Sequence, residues 1–178
     1  MASLALAAAT VTLLVHTSVL AAPSDPRGPN PVTLGEKIFA DASLSASGAM
    51  ACATCHDPAH AHAQSNDLAV QLGGPNLDVP GFRAVPSLQY ISFVPAFVIA
   101  ADGTPSGGFN RDGRARDLMV QALRPLFAAH EMAIATPGDL VARLAKTPYA
   151  DEFRQVFGQN IFDDEQGTSK GRCNFFIY

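Results

Sequence analysis

Two cysteines and three histidines lie between Cys52 and His62, within the segment MACATCHDPAHAHAQ. Side chains of these types can hold a zinc ion, form a redox-active dithiol or attach a haem. Each of the three chemistries requires its own spacing of cysteine and histidine. The spacing in this segment therefore indicates which chemistry the residues can perform.

Zinc binding and dithiol chemistry fit this spacing less well than haem attachment does. A tetrahedral zinc site usually takes its four ligands as two pairs separated by about a dozen residues or more. Cys55 and His56 are adjacent, which leaves little room for two further ligands from the same short segment. A thioredoxin-like dithiol follows a strand of a βαβ unit, and no such pattern precedes Cys52.

The order C-x-x-C-H is the spacing of a c-type haem attachment site. Cys52 and Cys55 would form thioethers with the porphyrin edge, and His56 would bind the iron. A random arrangement of 3 cysteines and 5 histidines in 178 residues gives this string about once in a thousand sequences. The motif predicts one covalently bound haem c with His56 as the iron ligand. His60 and His62 follow His56 too closely to reach the opposite haem face, so both are predicted as loop or surface residues.

The composition is that of one exported globular domain. With 178 residues, of which 48% are apolar, the chain can bury a core of its own. A net charge of −4 with 12 Lys and Arg gives no basic stripe, which argues against nucleic acid as a partner. Residues 1–22 lack Lys, Arg, Asp and Glu and end in small residues, as a secretory signal peptide does, and residues 23–32 form a Pro-rich linker. An uncleaved anchor of about 20 apolar residues is the alternative. Either one predicts a periplasmic domain.

Capping signals and apolar periodicity predict four helices around the haem motif. In TLGE, Thr33 and Glu36 form a capping box that opens a helix through LGEKIFA. The segment RARDLMVQALRPLF has apolar residues at helical intervals. In TPGDLVARLAK, Thr136 is the N-cap and Pro137 lies in the first turn. A last helix through YADEFRQVF ends at Gly158.

The regions between and after these helices complete the predicted organisation. Residues 64–87 are rich in Gly, Pro, Asn and Asp, which predicts a long loop. The chain is therefore expected to form an all-α, cytochrome c-like haem domain with long loops over residues 33–160. Residues 161–178 end in GTSKGRCNFFIY, without periodicity or caps, and are predicted as an atypical tail of the kind that a truncated or frameshifted gene would produce.

Four segments together resemble a known family: LGEKIFADASLSASGAMACATCHDPAHA, FRAVPSLQYISFVPAF, GGFNRDGRARDLMVQALRPLFAAHEMA and YADEFRQVFG. They resemble the N-terminal half of the bacterial di-haem cytochrome c peroxidases, including the methylamine-utilisation-type di-haem enzymes, from about Leu34 to Gly158. The resemblance implies a cytochrome c peroxidase-like oxidoreductase. In this half of such an enzyme, hydrogen peroxide is reduced with electrons that come from a small cytochrome or copper protein.

The resemblance also assigns roles to individual residues. His56 corresponds to the proximal iron ligand, and Gln121 and Glu131 correspond to the family's distal acid–base pair. Arg114 corresponds to the arginine of its Asp-Gly-Arg motif and is predicted to bind the haem. A carboxylate in a haem pocket can carry a proton between the two oxygens of a peroxide. Taken without the resemblance, Gln121 and Glu131 are more typical of solvent-facing residues.

Three features depart from the family pattern. Arg111 precedes Asp-Gly-Arg where many members have a tryptophan that relays electrons, and the chain contains no Trp. No second C-x-x-C-H follows, so the resemblance covers one haem. It makes no prediction about calcium binding, because the family's calcium site lies between its two domains. No histidine lies between His62 and His130, which predicts a five-coordinate or water-ligated haem iron.

Two other functions remain compatible with the haem motif. One is a mono-haem electron carrier, in which Met119 or Met132 would be the sixth iron ligand. The helical spacing of Met119 with core residues predicts packing for its side chain instead. The other is a fragment that binds haem without catalysis.

Overall fold

The computed structural model describes residues 28–163 of the chain. The predicted signal peptide, the first half of the predicted linker, most of the predicted tail and Cys173 lie outside these residues. Across residues 28–163, no helix is both long enough and apolar enough to span a membrane.

The regular secondary structure of the described residues is mainly helical, with strands of only two residues each, which confirms the predicted all-α class. Its α-helices are α1 (Pro31–Ala40), α2 (Cys52–Cys55), α3 (Leu118–Phe127), α4 (Pro137–Leu144) and α5 (Ala150–Phe157). Short 3-10 helices cover Ala42–Leu44, Pro58–His60 and Ile91–Phe93. Two antiparallel ladders of two-residue strands pair β1 (Leu72–Gly73) with β2 (Val79–Pro80) and β3 (Val98–Ile99) with β4 (Pro105–Ser106).

Helix α1 begins earlier than the predicted capping box. The side chain of Asn30 accepts hydrogen bonds from the backbone N–H groups of Val32 and Thr33, at 3.0 and 3.1 Å. In turn, Thr33 Oγ1 accepts a hydrogen bond from the Asn30 N–H at 3.1 Å. The prediction of Thr33 as the N-cap was therefore wrong: Thr33 occupies the third helical position, where it replaces the usual Glu or Gln of the box. Pro31, inside the predicted linker, is the first helical residue.

The predicted signals of the last two helices are confirmed. At the start of α4, Thr136 Oγ1 accepts from the Asp139 N–H at 3.1 Å, and Pro137 is the first helical residue. Gly158 ends α5 with a φ of 104°, in the left-handed region that favours glycine.

The core holds the haem motif in place. Helix α1 packs against both α2 and α5, and an ion pair between Lys37 and Glu152 joins α1 to α5. Cys52 and Cys55 lie at the edge of this core and pack against it. The largest fully buried apolar side chains are those of Leu34, Leu44, Leu126, Leu144 and Phe153.

The segment between the haem motif and α3, residues 61–117, is called the connecting segment below. It contains the two short ladders and one 3-10 helix, and the predicted loop over residues 64–87 contains only the β1–β2 ladder. Large apolar side chains are exposed here, among them Phe82 at 78% and Phe93 at 81%.

Candidate functional site

The two cysteines of the motif lie at the ends of the single helical turn α2. The Ala51 N–H donates to Thr54 Oγ1 at 2.9 Å, and this bond closes the start of the turn. Both thiols are free. Burial, with a smaller contribution from nearby negative charge, raises the pKa of Cys52 to about 11, and burial and Glu131 raise the pKa of Cys55. A redox dithiol needs a lowered thiol pKa, so these surroundings disfavour that alternative.

His56 follows the turn directly, and the backbone carbonyls of His62 and Pro86 both lie within hydrogen-bonding reach of its ring. With the proton on Nδ1, the ring donates a hydrogen bond to the His62 carbonyl oxygen at 3.0 Å. In that tautomer Nε2 is the nitrogen that can bind a metal, and the hydrogen bond at Nδ1 fixes the orientation of the imidazole. Burial lowers the pKa of His56, which favours the neutral ring that binds metals.

The loop after α2 brings the His62 carbonyl to His56. The Asp57 N–H donates to the Ala63 carbonyl and the His62 N–H to the Asp57 carbonyl, both at 2.9 Å. His60 is exposed and pairs with the Asp57 carboxylate at 2.9 Å, as predicted for a surface histidine. His62 acts through its backbone, and no pattern of side chains in the sequence signals that role.

A cavity of about 530 Å³ lies along α3 and the turn that follows it. Arg114, Gln121 and Glu131 all line it, although they come from the loop before α3, from α3 itself and from the turn after α3. The structure thus brings Arg114, from the Asp-Gly-Arg motif, together with Gln121 and Glu131, the pair that the family resemblance assigned to the distal side.

Backbone contacts fix the position of Glu131. The turn folds back on α3, with the N–H groups of Met132 and Ile134 donating to the carbonyls of Pro125 and Leu126 at 3.1 and 2.9 Å. From the other side, the Gly74 N–H donates to the Glu131 carbonyl at 2.8 Å.

Gly73 is a positioning residue that the sequence reasoning missed. A Cβ atom at Gly73 would collide with the His130 carbonyl group and lie 3.0 Å from the Glu131 Cα. The adjacent pair Gly73–Gly74 is a visible signal in the sequence, but it does not reveal which segment the glycines approach.

The surroundings of Glu131 suit proton transfer. Its side chain is 43% exposed. Partial burial raises the pKa of Glu131, and the positive charges of His130 and Arg114 oppose that increase. The charge of Glu131 in turn contributes to the raised pKa of Cys52 and of Cys55, so this carboxylate acts electrostatically on α2.

Hydrogen-bond donors gather along the same cavity. Arg114 Nη1 lies 3.1 Å from Asp112 Oδ2, and Arg83 Nη1 reaches the same oxygen at 2.7 Å. The hydrogen bond from Arg83 is the main reason that the pKa of Asp112 is lowered. Asn110 Nδ2 is buried and has no hydrogen-bond partner among the described residues, and Asn110 lines the cavity. An unpaired buried donor is costly, so it suits a ligand that carries oxygen atoms.

These residues fit a c-type haem. Two free thiols lie on one helical turn, the His56 imidazole follows it directly, and cavity donors such as Arg114 and Asn110 suit oxygen-bearing groups. The two methionines suggested for a carrier do not line the cavity in the described part of the chain. Met132 is buried in the core, whereas Met119 is 39% exposed, so the prediction that Met119 packs in the core was wrong.

A sequence profile described as di-haem cytochrome c peroxidase matches residues 29–171. The chain belongs to the di-haem cytochrome c peroxidase family. The predicted resemblance is thereby confirmed, and the chain is a haem-binding redox protein of the cytochrome c type. The match extends beyond residue 160, into the segment that was predicted as an atypical tail.

Curated relatives support the same assignment. The methylamine utilization protein MauG of Paracoccus denitrificans is 36% identical over 163 residues, which cover 89% of this chain and 42% of that protein. MauG of Methylorubrum extorquens is 36% identical over 137 residues, which cover 76% of this chain and 34% of that protein. The family member described here thus spans about two fifths of the length of the Paracoccus protein.

Solved structures share the fold. The diheme peroxidase BthA from Burkholderia thailandensis has a TM-score of 0.72 and 30% identity, and the match covers 86% of this chain and 38% of that one. A MauG-like protein associated with microbial copper homeostasis has a TM-score of 0.56 and 24% identity, with 84% and 41% covered. The second likeness shows the fold alone.

Proposed function

We propose that this chain is the peroxide-binding half of a haem c peroxidase, which reduces hydrogen peroxide with electrons from a small redox protein. The observation that carries the proposal is the cavity along α3 and the turn after it. Arg114, Gln121 and Glu131 line it together, and the charge of Glu131 acts on the two haem-attachment cysteines.

Three residues would hold one haem c in this proposal. Cys52 and Cys55 would form the thioethers, and His56 would bind the iron through Nε2, with Nδ1 bonded to the His62 carbonyl. A haem held there would supply electrons for breaking the oxygen–oxygen bond, and a cytochrome c or a copper protein would be the donor that replaces them.

The cavity residues manage protons and charge. Ionised Glu131 accepts a proton from one oxygen of the peroxide and donates it to the other, which then leaves as water. Complete reduction of one hydrogen peroxide takes up two electrons and two protons and gives two waters. The Gln121 amide can hold the peroxide by hydrogen bonds, and Arg114 offsets negative charge that develops on its oxygens.

We also propose that the domain works in the periplasm. The apolar residues 1–22, without charged side chains, support export, and cytochrome c maturation on the outer side of the bacterial membrane requires it. With Arg111 at the position of the family's tryptophan, electron entry through a tryptophan relay is not available to this chain.

The proposal is tested by steady-state peroxide reduction. The full chain, produced with haem-maturation machinery, is assayed with a reduced c-type cytochrome as donor. Glu131→Gln is expected to lower turnover about 100-fold or more, because the proton carrier is removed. The control Glu152→Gln changes a glutamate of α5 that pairs with Lys37 outside the cavity, and it should retain turnover. Equal turnover in wild type and Glu131→Gln would refute the proposal.

A further inference from the structure

His130 lies beside the carboxylate of Glu131, within the same cavity. Its Nε2 is 3.5 Å from Glu131 Oε1, and 21% of its side chain is exposed. The residue thus contacts both the cavity interior and the surface. His130 belongs neither to the haem motif nor to the assigned distal pair, so no role has yet been given to it.

Contacts on two sides fix the position of His130. Its ring packs against the ring of Phe82, with the centroids 4.3 Å apart, and Phe82 itself is 78% exposed. Its backbone is approached closely by Gly73, where any Cβ would collide with the His130 carbonyl group. The imidazole is therefore held between the carboxylate and the outer edge of the cavity.

Reduction of each hydrogen peroxide takes up two protons, and these must enter the cavity from solvent. Histidine is the side chain that gains and loses a proton near neutral pH. We propose that His130 is the residue that delivers these protons to Glu131. In each delivery the protonated imidazole gives its Nε2 proton to Oε1 of the carboxylate, and solvent then protonates the ring again. This inference rests on the proposed function.

Other charged groups face the pair and must be distinguished from His130. Arg114 comes from the loop before α3 and Arg124 from α3, while Cys52 and Cys55 on α2 interact electrostatically with Glu131. Arginines stay charged at all relevant pH values, and cysteines joined to haem as thioethers carry no exchangeable proton. The β1 segment contributes backbone and glycine, and Phe82 is apolar. Among these neighbours, the imidazole is the group suited to carry protons.

Two variants separate proton delivery from packing. His130→Phe keeps an aromatic ring against Phe82 but removes the proton carrier, whereas His130→Ala leaves room for a small added base. Both are expected to lower turnover about tenfold at neutral pH, and added imidazole should restore part of the loss in His130→Ala alone. His60→Ala is the matched control, because His60 also pairs with a carboxylate, that of Asp57, but does not line the cavity.

An infrared titration provides a readout that does not depend on turnover. The carboxyl band of Glu131 is identified in the haem-loaded protein by its loss in Glu131→Gln. In His130→Phe this band should persist to higher pH than in wild type, because a positive charge that lowers the pKa of Glu131 has been removed. The acid limb of the pH profile of turnover should move in the same direction, and His60→Ala should move neither.

The outcomes distinguish this inference from the proposed function. If Glu131→Gln loses turnover while His130→Phe keeps both wild-type turnover and the wild-type carboxyl titration, His130 delivers no protons and the proposed function stands. If the wild type reduces no peroxide, the proposed function fails. In that case the infrared titration is the remaining test of the inference. A carboxyl band that titrates in His130→Phe as it does in wild type overturns the coupling of His130 to Glu131.

Discussion

The helical core and the connecting segment differ in how they use their apolar residues. In the core, side chains such as Leu34 and Phe153 are fully buried between helices. In the connecting segment, Phe82 and Phe93 remain about four-fifths exposed, at 78% and 81%. The connecting segment nevertheless supplies Phe82, Asn110 and Arg114 to the cavity. The helical core therefore provides stability and holds the haem motif, while the connecting segment provides cavity residues and little packing.

Replacement of a core residue should have the largest effect on stability. Phe153→Ala is expected to lower the free energy of unfolding by about 3–5 kcal/mol, because it removes a fully buried ring and leaves a cavity. The measurement is denaturant unfolding of the haem-loaded protein. Phe93→Ala, the same substitution in the connecting segment, should stay within about 0.5 kcal/mol of wild type. Similar losses of stability in both variants would show that the two regions do not differ in this way.

Replacement of Gly73 should harm the site more than the core. Gly73→Ala is expected to displace the His130–Glu131 segment, at a cost of about 1–3 kcal/mol in stability, because the new methyl group collides with backbone atoms. Peroxide turnover should fall about tenfold, since Glu131 loses its position relative to α2. Gly81→Ala is the matched control, with its nearest contact at 3.2 Å and an ordinary φ. Full turnover in Gly73→Ala would show that Glu131 is positioned in another way.

A smaller, pH-dependent effect is expected within the core. Tyr149 donates a hydrogen bond to Asp41 Oδ2 at 2.6 Å. Burial acts to raise the pKa of Asp41, but hydrogen bonds from Ser43 and Tyr149 outweigh it and the pKa is lowered overall. A carboxylate whose pKa is lower in the folded state than in the unfolded state stabilises the fold at pH values above its unfolded pKa. That contribution disappears as the pH falls through its folded pKa.

The corresponding variant is Tyr149→Phe. It should lose about 1 kcal/mol near pH 7, with the difference from wild type shrinking below about pH 4. Unfolding at a series of pH values measures this. A difference that is independent of pH would mean that the hydroxyl stabilises the core without the carboxylate.

The two regions also differ in how far the sequence predicts them. The α4 signals, Thr136 and Pro137, are local in sequence and were confirmed, because capping depends on neighbouring backbone groups. At α1 two residues could serve as the cap, and Asn30 rather than Thr33 does so. For the haem motif, the adjacency of Cys55 and His56 was itself the sequence signal that favoured haem attachment over zinc binding.

The cavity could not be derived from periodicity. Arg114 and Glu131 lie in irregular segments, so only the family resemblance singled them out as site residues. The contact of Phe82 with His130 and the approach of Gly73 to the same segment join residues that are far apart in the chain. No local pattern encodes such contacts, and they appeared only in the structure.

Under the proposed function, the cavity along α3 is a peroxide site governed by Glu131. The first measurement is the absorption spectrum of the haem-loaded protein before and after one equivalent of hydrogen peroxide, without any electron donor. We expect the haem bands of the wild type to change on addition, and we expect Glu131→Gln to lose most of that change. A wild-type spectrum that peroxide leaves untouched would contradict the claim and favour an electron carrier or a haem-binding fragment without catalysis.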